Sequence, residues 1–209
     1  MQPLLRRPAG FKFAQIGAND GVRFDSLYEI VTVHPCAGIV VEPLPDMFER
    51  LRSNYADYPR IVPVNKAIHE SARSLELFRV RPSTQATYPG WSSGLASFDR
   101  EHLLRHHIAP ADISVQLVEC VTLMELLETH ALVDLDLLQV DTEGYDGAIV
   151  RMIDFARCRP SVLKFEHKNL PAAEREDLRV RLAHHQYAMQ SEGNDTIAWL
   201  RTPQRESRA

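Results

Sequence analysis

Short apolar runs alternate along this chain with longer amphipathic stretches, and this alternation restricts the fold more than any other feature. Runs rich in Val, Ile and Phe are typical of buried parallel strands, and the stretches between them are typical of helices that cover a sheet. We predict core strands at 12–16, 38–41, 61–65, 135–140 and 161–165. The chain is therefore expected to be an α/β protein with a mostly parallel sheet and helices on both faces.

The spacing of apolar residues between these strands predicts the helices. Stretches 23–33, 45–54 and 172–185 have helical periodicity, and Pro45 suits the first turn of the second helix. The apolar faces of the first two consist of Phe24, Leu27, Ile30 and Val31 and of Met47, Phe48 and Leu51. Near the C-terminus, segments 187–192 and 196–200 flank Gly193-Asn194-Asp195, which predicts an antiparallel β-hairpin.

The length and composition of the chain indicate one folded domain. Its 209 residues, 44% hydrophobic and 25% charged, suit a single domain spanning 1–209 with its own core. An insert at about 71–130 interrupts the alternation and holds predicted strands at 75–80 and 115–121, followed by a Thr122–Glu125 capping box. The Gly/Ser-rich loop around Trp91 is expected to form a lid or acceptor-binding element, or to pin itself onto the body of the domain.

Charge, apolar runs and cysteines limit the environment and the partners. The formal net charge of −4 gives no indication of a nucleic-acid partner. No apolar run reaches the roughly 20 residues of a membrane span, and three widely spaced cysteines indicate neither disulfides nor a thiolate zinc site. We therefore expect a cytoplasmic protein without a membrane span, and the oligomeric state is left open.

A strand that runs into a glycine-containing turn, FAQIGANDG at 13–21, is the first chemical motif. Gly17 and Gly21 let the backbone turn sharply and approach a ligand, although the same pattern also occurs in plain strand-to-helix connections. Glu42 ends the second strand 21 residues after Gly21, close to the ~20-residue spacing of acids that bind ribose hydroxyls. Together these features favour a nucleoside site over a solvated strand end.

Acidic residues also follow the fourth and fifth predicted strands. Asp141 and Glu143 come directly after one strand, and Glu166 and His167 come at the end of the other. Because ligands of open α/β sheets bind at the carboxyl ends of the strands, we expect these side chains at the edge that carries Gly17. A neutral histidine can accept a proton or ligate a metal, and position distinguishes His167 from the other histidines, to which we assign no role.

The order and spacing of these motifs resemble the FkbM-type methyltransferases, S-adenosylmethionine (SAM)-dependent enzymes that mostly methylate hydroxyls of polyketides, sugars and related natural products. The resemblance covers about 13–167 and rests on GANDG at 17–21, VEP at 41–43, VTL at 121–123, DTEGYD at 141–146 and FEH at 165–167. It implies a Rossmann-like class I methyltransferase sheet, mostly parallel with a C-terminal antiparallel hairpin. The implied function is O-methylation of a small-molecule, saccharide or natural-product acceptor.

The resemblance also implies which residues bind SAM. The implied cofactor-binding residues are Gln15, Gly17, Ala18, Asn19, Asp20, Gly21, Glu42, Asn65, Ala67, Ile68 and Asp141. The glycine turn would surround the methionine and ribose, Glu42 would hold the ribose diol, and residues 65–68 would border the adenine. Gln15 stands where the family usually has an acid, and its amide supplies no charge for the methionine ammonium.

Two versions of the chemistry are compatible with the resemblance. In the metal-free version His167 is the general base, and Asp141 or Glu143 orients SAM or the acceptor. In the other version, which is similar to catechol O-methyltransferase, Asp141, Glu166 and His167 hold Mg²⁺ or Mn²⁺ beside the reacting hydroxyl. An NAD-dependent oxidoreductase and a non-catalytic SAM-binding scaffold are the alternatives, although no complete G-x-G-x-x-G supports the first.

Overall fold

The structure, a computed structural model, describes residues 10–23, 25 and 27–201. Its strands are β1 (Phe11–Ile16), β2 (Cys36–Val41), β3 (Ile61–Val64), β4 (Ala67–Ile68), β5 (Ser74–Val80), β6 (Ala96–Ser97), β7 (Ile113–Val121), β8 (Leu137–Val140), β9 (Val162–Glu166), β10 (Tyr187–Glu192) and β11 (Asp195–Leu200). Its α-helices are α1 (Tyr28–Val33), α2 (Pro45–Asn54), α3 (Arg100–Arg105), α4 (Leu123–Thr129), α5 (Asp146–Arg151) and α6 (Ala172–His184). Short 3₁₀ turns lie at Gln85–Thr87, Gly90–Ser93 and Pro110–Asp112.

The main sheet has the strand order β10-β11-β9-β8-β1-β2-β3 within the described residues. The five strands β3, β2, β1, β8 and β9 are mutually parallel, and β11 runs antiparallel to β9 and to β10. The five predicted core strands and the C-terminal hairpin are therefore confirmed. From β1 the chain continues outward to β2 and β3, and from β8 it continues outward to β9 on the other side, so the order reverses between these two central strands.

Helices cover both faces of the main sheet, as the sequence pattern predicts. Alternate side chains of β1 belong to two cores, because Phe11 and Phe13 pack on one face and Ala14 and Ile16 on the other. The first core receives apolar side chains from α1 and α2, and the second receives them from α4, α5 and α6. The central strands are consequently buried on both faces, which explains their continuous apolar runs.

The helix predicted at 23–33 begins later than expected, at Tyr28. The carboxylate of Asp20 accepts the backbone amides of Val22 and Arg23 at 3.0 and 2.8 Å, and that of Asp25 accepts the amide of Leu27 at 2.8 Å. Such local bonds offer the backbone an alternative to a helix. Phe24, part of the predicted apolar face, lies outside the described residues. By contrast, α2 has the predicted bounds and begins with Pro45.

The insert at about 71–130 supplies most of a second sheet, with the order β4-β7-β5-β6 among the described residues. Its longest pairing joins β5 and β7 in an antiparallel ladder, and α3 follows β6. The predicted capping box is present in one direction, because Thr122 Oγ1 accepts the Glu125 amide at 3.3 Å. The Glu125 carboxylate instead accepts a hydrogen bond from Arg73 at 2.7 Å.

No helix within the described parts of the chain is long and apolar enough to cross a bilayer.

Candidate functional site

The main sheet brings the ends of its parallel strands into one row. Ile16 pairs with Val41 on one side and Val140 on the other, and the ladders continue outward in the same register. The residue that follows in each strand therefore lies at the same edge of the sheet, and these residues are Asn65, Glu42, Gly17, Asp141 and Glu166. Five sequence motifs that lie far apart along the chain thus meet at a single edge.

A cleft, here called the edge cleft, opens over this row where the strand order reverses between β1 and β8. Its apolar half has a cavity volume of about 70 Å³ and is partly open to solvent. The main-sheet side contributes Ile16 and Tyr145, whereas Ala67, Ile68 and Leu77 come from the second sheet and Phe98 directly follows its strand β6. The second sheet therefore forms the wall of the cleft that faces the strand ends.

The polar half of the edge cleft carries most of its charge. Gly17, Asn19, Gly94, Asp141 and Glu143 line both halves, so the two halves are continuous. The ionisable side chains that line the polar half are the carboxylates of Asp25, Asp141, Glu143 and Glu166, the cationic groups of Arg23 and Lys168, and His106. Carboxylates outnumber cationic groups there, which favours a positively charged ligand.

The turn after β1 needs a glycine at position 17. Gly17 has a φ of +81°, and a Cβ built on it would lie 1.7 Å from the backbone oxygen of Asp141. Only a residue without a side chain allows the two central strand ends to approach this closely. Asn19 also has a left-handed backbone, with φ at +51°. Its backbone amide donates to the Glu42 carboxylate at 2.9 Å.

Glu42 lies beneath the turn with only 6% of its surface exposed. One carboxylate oxygen accepts the amide of Asn19 and the other accepts the amide of Leu44, each at 2.9 Å. Burial raises the pKa of Glu42 to about 7, although these two hydrogen bonds oppose the shift. Asn65 donates from its side chain to the carbonyls of Glu42 and Pro43 at 2.8 and 3.1 Å, which holds the chain after β2 in place.

Gln15 and Asp25 form a pair at the far end of the polar half. The Gln15 amide nitrogen donates to the Asp25 carboxylate at 3.0 Å. The Gln15 side-chain oxygen is buried and has no hydrogen-bond partner within the described residues. Desolvation raises the pKa of Asp25, and the bond from Gln15 acts against this shift. A buried acceptor without a donor is costly, so this pair indicates a ligand that donates hydrogen bonds.

Asp141 is exposed to the edge cleft, and its carboxylate makes no hydrogen bond within the described part of the chain. Desolvation by the walls of the cleft, followed by the charges of Asp146 and Glu143, raises the pKa of Asp141 to about 7. Desolvation, followed by the charges of Glu143 and Asp141, likewise raises the pKa of Glu166 to about 7. These carboxylates lie close together without enough cations to compensate them.

Asp146 fixes the turn after β8 from beneath. Its side chain is fully buried and accepts from the amide and the hydroxyl of Thr142 at 3.3 and 3.0 Å. The other carboxylate oxygen accepts the amide of Glu166 at 3.2 Å, so Asp146 ties this turn to β9. Glu143 at the tip of the turn has a left-handed backbone with φ at +52°. The turn therefore presents Asp141 and Glu143 on a fixed support.

Most of the predicted cofactor-binding residues line the edge cleft. The predicted residues that do so are Gln15, Gly17, Ala18, Asn19, Glu42, Ala67, Ile68 and Asp141. The side chains of Asp20 and Asn65 bond to backbone atoms of the adjoining turns, and neither residue lines the cleft. Gly21 packs against α2, since a Cβ at this position would lie 2.6 Å from Leu51. These last three residues shape the site from outside it.

His167 lies away from the edge cleft, contrary to the predicted convergence at the strand ends. Side chains alternate along a strand, so His167 points to the same side as Phe165 and away from that of Glu166. It lines a separate cavity with Phe165 and Arg179, and its Nδ1 is 3.1 Å from the Thr196 hydroxyl. The ligand atoms of Asp141, Glu166 and His167 do not gather within 4.8 Å of one another. The structure therefore does not support the metal site that we predicted from these three residues.

Asp25 and His106, which line the polar half, and His102 beside it have no role in the sequence-based prediction. Asp25 was predicted only to be part of the helix at 23–33. Its hydrogen bond with Gln15 connects two sides of the turn after β1, and helix propensity does not predict such a contact. His102 and His106 stand next to Glu143, with His102 Nε2 at 3.3 Å from a Glu143 oxygen. Their spacing of four residues on a helix was a usable signal, because it puts two imidazoles on one face.

Comparisons with known proteins agree with this architecture. A family model described as the methyltransferase FkbM domain matches residues 15–201. The crystal structure of methyltransferase FkbM from Methylobacillus flagellatus KT is 13% identical with a TM-score of 0.53, covering 94% of this chain and 45% of that one. The METTL16 MTase domain is 10% identical with a TM-score of 0.51, covering 95% and 64%. No curated protein matches the sequence. The structural likenesses show a Rossmann-like class I methyltransferase fold, as predicted.

Proposed function

Because the chain belongs to the FkbM methyltransferase family, we propose that it transfers a methyl group from SAM to a hydroxyl oxygen of a small-molecule or saccharide acceptor. Use of SAM follows from the family. We place the cofactor in the edge cleft and propose that the residues lining this cleft hold both SAM and the hydroxyl acceptor.

The apolar half of the edge cleft suits the adenosine part of SAM. Ile68, Leu77 and Phe98 offer apolar surface for an adenine ring, and this half adjoins the row of strand ends. Glu42 lies between the adenine side and the glycine turn. Each of its oxygens already accepts one backbone amide and can accept one further hydrogen bond from a ribose hydroxyl.

The polar half suits the methionine part, and one observation carries this assignment. The buried Gln15 oxygen lacks a donor while Asp25 lies next to it, so the two residues together offer a neutral acceptor and a negative charge. A methionine ammonium group would satisfy both. Asp25 thereby supplies the negative charge for the methionine ammonium that Gln15 cannot supply. The carboxylate of Asp141 faces the same space and favours the positive charge of a sulfonium.

The remaining space in the polar half is the proposed acceptor site. It is lined by Trp91, Glu143 and Glu166, of which Trp91 comes from the insert and lies 5.6 Å, centroid to centroid, from the His106 ring. SAM supplies a methyl group activated by its sulfonium. The chain holds the acceptor oxygen opposite that methyl group and takes up the proton that the hydroxyl loses. Glu166 can do so near neutral pH, because its pKa is raised to about 7.

Mass spectrometry with a deuterated methyl label tests this function. The protein is incubated with SAM that carries a CD₃ group and with panels of polyols, saccharides and phenols. We expect release of S-adenosylhomocysteine together with a CD₃ ether on one acceptor class. Asp141→Asn is expected to reduce this release at least tenfold, whereas Asp177→Asn, a surface substitution on α6, is expected to have no effect. Transfer to nitrogen or carbon, or SAM binding without transfer to any acceptor, would contradict the proposal.

A further inference from the structure

Two histidines and a carboxylate meet at the acceptor end of the edge cleft. The ligand atoms of His102, His106 and Glu143 all lie within 4.8 Å of one another. They form the single group of three or more potential metal ligands that the described residues contain. His102 is 3% exposed, whereas His106 and Glu143 line the polar half.

We propose that His102, His106 and Glu143 bind one divalent transition-metal ion. The ion would lie where the proposed function places the acceptor, so its role in catalysis rests on that function, whereas its binding does not. The metal site predicted from the sequence involved other residues. These two histidines were given no role in that prediction.

Local structure explains why the three side chains converge. The His106 amide donates to the carbonyls of His102 and Leu103 at 3.3 and 3.1 Å, which continues the helical turn and leaves the two imidazole rings 4.8 Å apart. The left-handed backbone at Glu143 turns its side chain toward them. Ser97 donates to the Glu143 carbonyl at 3.2 Å and secures that turn against β6. Three different segments of the chain therefore hold the group together.

The donor set indicates the type of metal. Two imidazoles and one carboxylate suit Zn²⁺, Co²⁺, Fe²⁺ or Mn²⁺, whereas Mg²⁺ and Ca²⁺ prefer oxygen ligands. Three protein ligands leave at least one coordination position open. Because His106 and Glu143 line the polar half together with Trp91 and Glu166, the open position faces the proposed acceptor space.

An oxygen of the acceptor would take that open position. Coordination lowers the pKa of an alcohol, so its proton leaves more readily to Glu166 or to water. The oxygen then forms a bond to the methyl carbon. The carbon–sulfur bond breaks, its electron pair remains on sulfur, and S-adenosylhomocysteine leaves as a neutral thioether. An ion with two open positions would favour acceptors with two neighbouring oxygens, because both oxygens could then coordinate it.

Titration with Co²⁺ tests the site, since the visible spectrum of Co²⁺ reports nitrogen and oxygen coordination. The full chain, freed of metal and of any affinity tag, is titrated without SAM. We expect saturation near one equivalent, reversal by Zn²⁺, and an affinity at least about tenfold lower in both His106→Ala and Glu143→Gln. His107→Asn is the matched control, because His107 is exposed next to the site and asparagine tolerates its left-handed φ of +61°.

The same samples separate the metal site from the proposed function. His102 is packed in the core, so the decisive variants are His106→Ala and Glu143→Gln, with melting curves to confirm that both fold. We expect SAM to bind wild type and His106→Ala with affinities within about twofold of each other. Co²⁺ binding that is absent, or equal in wild type and both variants, overturns the metal site whatever the methyl-transfer assay shows. Methyl transfer that fails while Co²⁺ binds as expected overturns only the proposed function.

Discussion

The two acidic ends of the edge cleft are built in opposite ways. At the end of β2, Glu42 is buried and each of its oxygens accepts a backbone amide. At the end of β8, Asp141 is exposed to the cleft and its carboxylate makes no hydrogen bond within the described residues. Both carboxylates nevertheless have a pKa raised to about 7. For Glu42 the cause is burial, whereas for Asp141 the charges of neighbouring carboxylates add to desolvation.

This difference indicates a division of labour. Glu42 organises the turn before any ligand arrives, so its removal should damage the protein itself. Asp141 and Glu166 carry negative charge that lacks compensation, so a cationic ligand should relieve it. The β2 end is thus expected to contribute shape and the β8 end to contribute charge.

Gly17→Ala is expected to have the largest effect, because Gly17 stands between the two ends. A methyl group there would collide with the Asp141 backbone oxygen and would force an unfavourable φ. We expect a loss of about 3 kcal/mol or more in the free energy of unfolding, measured by urea denaturation. Gly90→Ala is the control, since no atom lies within 4 Å of a Cβ at that position. Equal stability of the two variants would show that the strand ends do not need this close approach.

Exchange of each acid for its amide compares the two ends directly. At pH 8, Glu42→Gln should cost about 1–3 kcal/mol of stability, because the new NH₂ group faces a backbone amide that needs an acceptor. Asp141→Asn should leave the stability equal or higher, since it removes repulsion. Denaturation curves of both variants measure the difference. A stable Glu42→Gln together with an unstable Asp141→Asn would reverse the assigned roles.

SAM affinity should distinguish the two ends again. Asp141→Asn removes a charge that faces the proposed cation, and we expect the Kd for SAM to rise about tenfold, or about 1.4 kcal/mol. Asp25→Asn is expected to act in the same direction. Calorimetry with SAM at low and high salt measures both, and screening should shrink the difference from wild type. Affinities unchanged by either substitution would argue against a cationic ligand in the polar half.

The dependence of stability on pH follows from the raised pKa values. Desolvation and the neighbouring carboxylates raise the pKa of Asp141 and that of Glu166 from the ordinary carboxyl value of about 4 to about 7 in the folded protein. The folded state therefore binds protons more tightly than the unfolded state between about pH 4 and pH 7. Stability from these groups is present below pH 4 and is lost as the pH rises to about 7.

Melting temperatures of the ligand-free protein between pH 5 and pH 8 test this sign. We expect a decline toward pH 8 that is shallower in Asp141→Asn, which removes one group and also lowers the pKa of Glu166. Saturating SAM should also flatten the decline, because it compensates the negative charge. A melting temperature that rises across this range in wild type would show that the acidic residues do not repel one another.

His167→Ala is expected to have the smallest effect. Its ring lies in another cavity, where it contacts Thr196, so the loss should stay below about 1 kcal/mol in stability. Turnover and SAM affinity should remain within about twofold of wild type. A loss of about 10²–10⁴-fold in turnover, the usual range for a general base, would restore the role that the sequence predicted. Steady-state kinetics with the identified acceptor measure it.

The fold was predictable because burial on both faces leaves a continuous apolar run in each central strand. The same parallel register carries Gly17, Glu42 and Asp141 to one edge, so their proximity also followed from the sequence. Whether a side chain faces the cleft was harder to predict. His167 differs from Glu166 by one position, and that single step turns it to the other face. The His102–Glu143 contact joins the insert to the turn after β8, and no local pattern records such a pairing.

A crystal structure with S-adenosylhomocysteine tests the central claim most directly, because this product keeps the adenosine and the ammonium of SAM. The account predicts adenine next to Ile68 and Phe98, the ribose hydroxyls near Glu42, and the ammonium within about 3.2 Å of the Gln15 oxygen and the Asp25 carboxylate. Density for the ligand in the cavity beside His167, or with its ammonium turned away from Gln15 and Asp25, would contradict it.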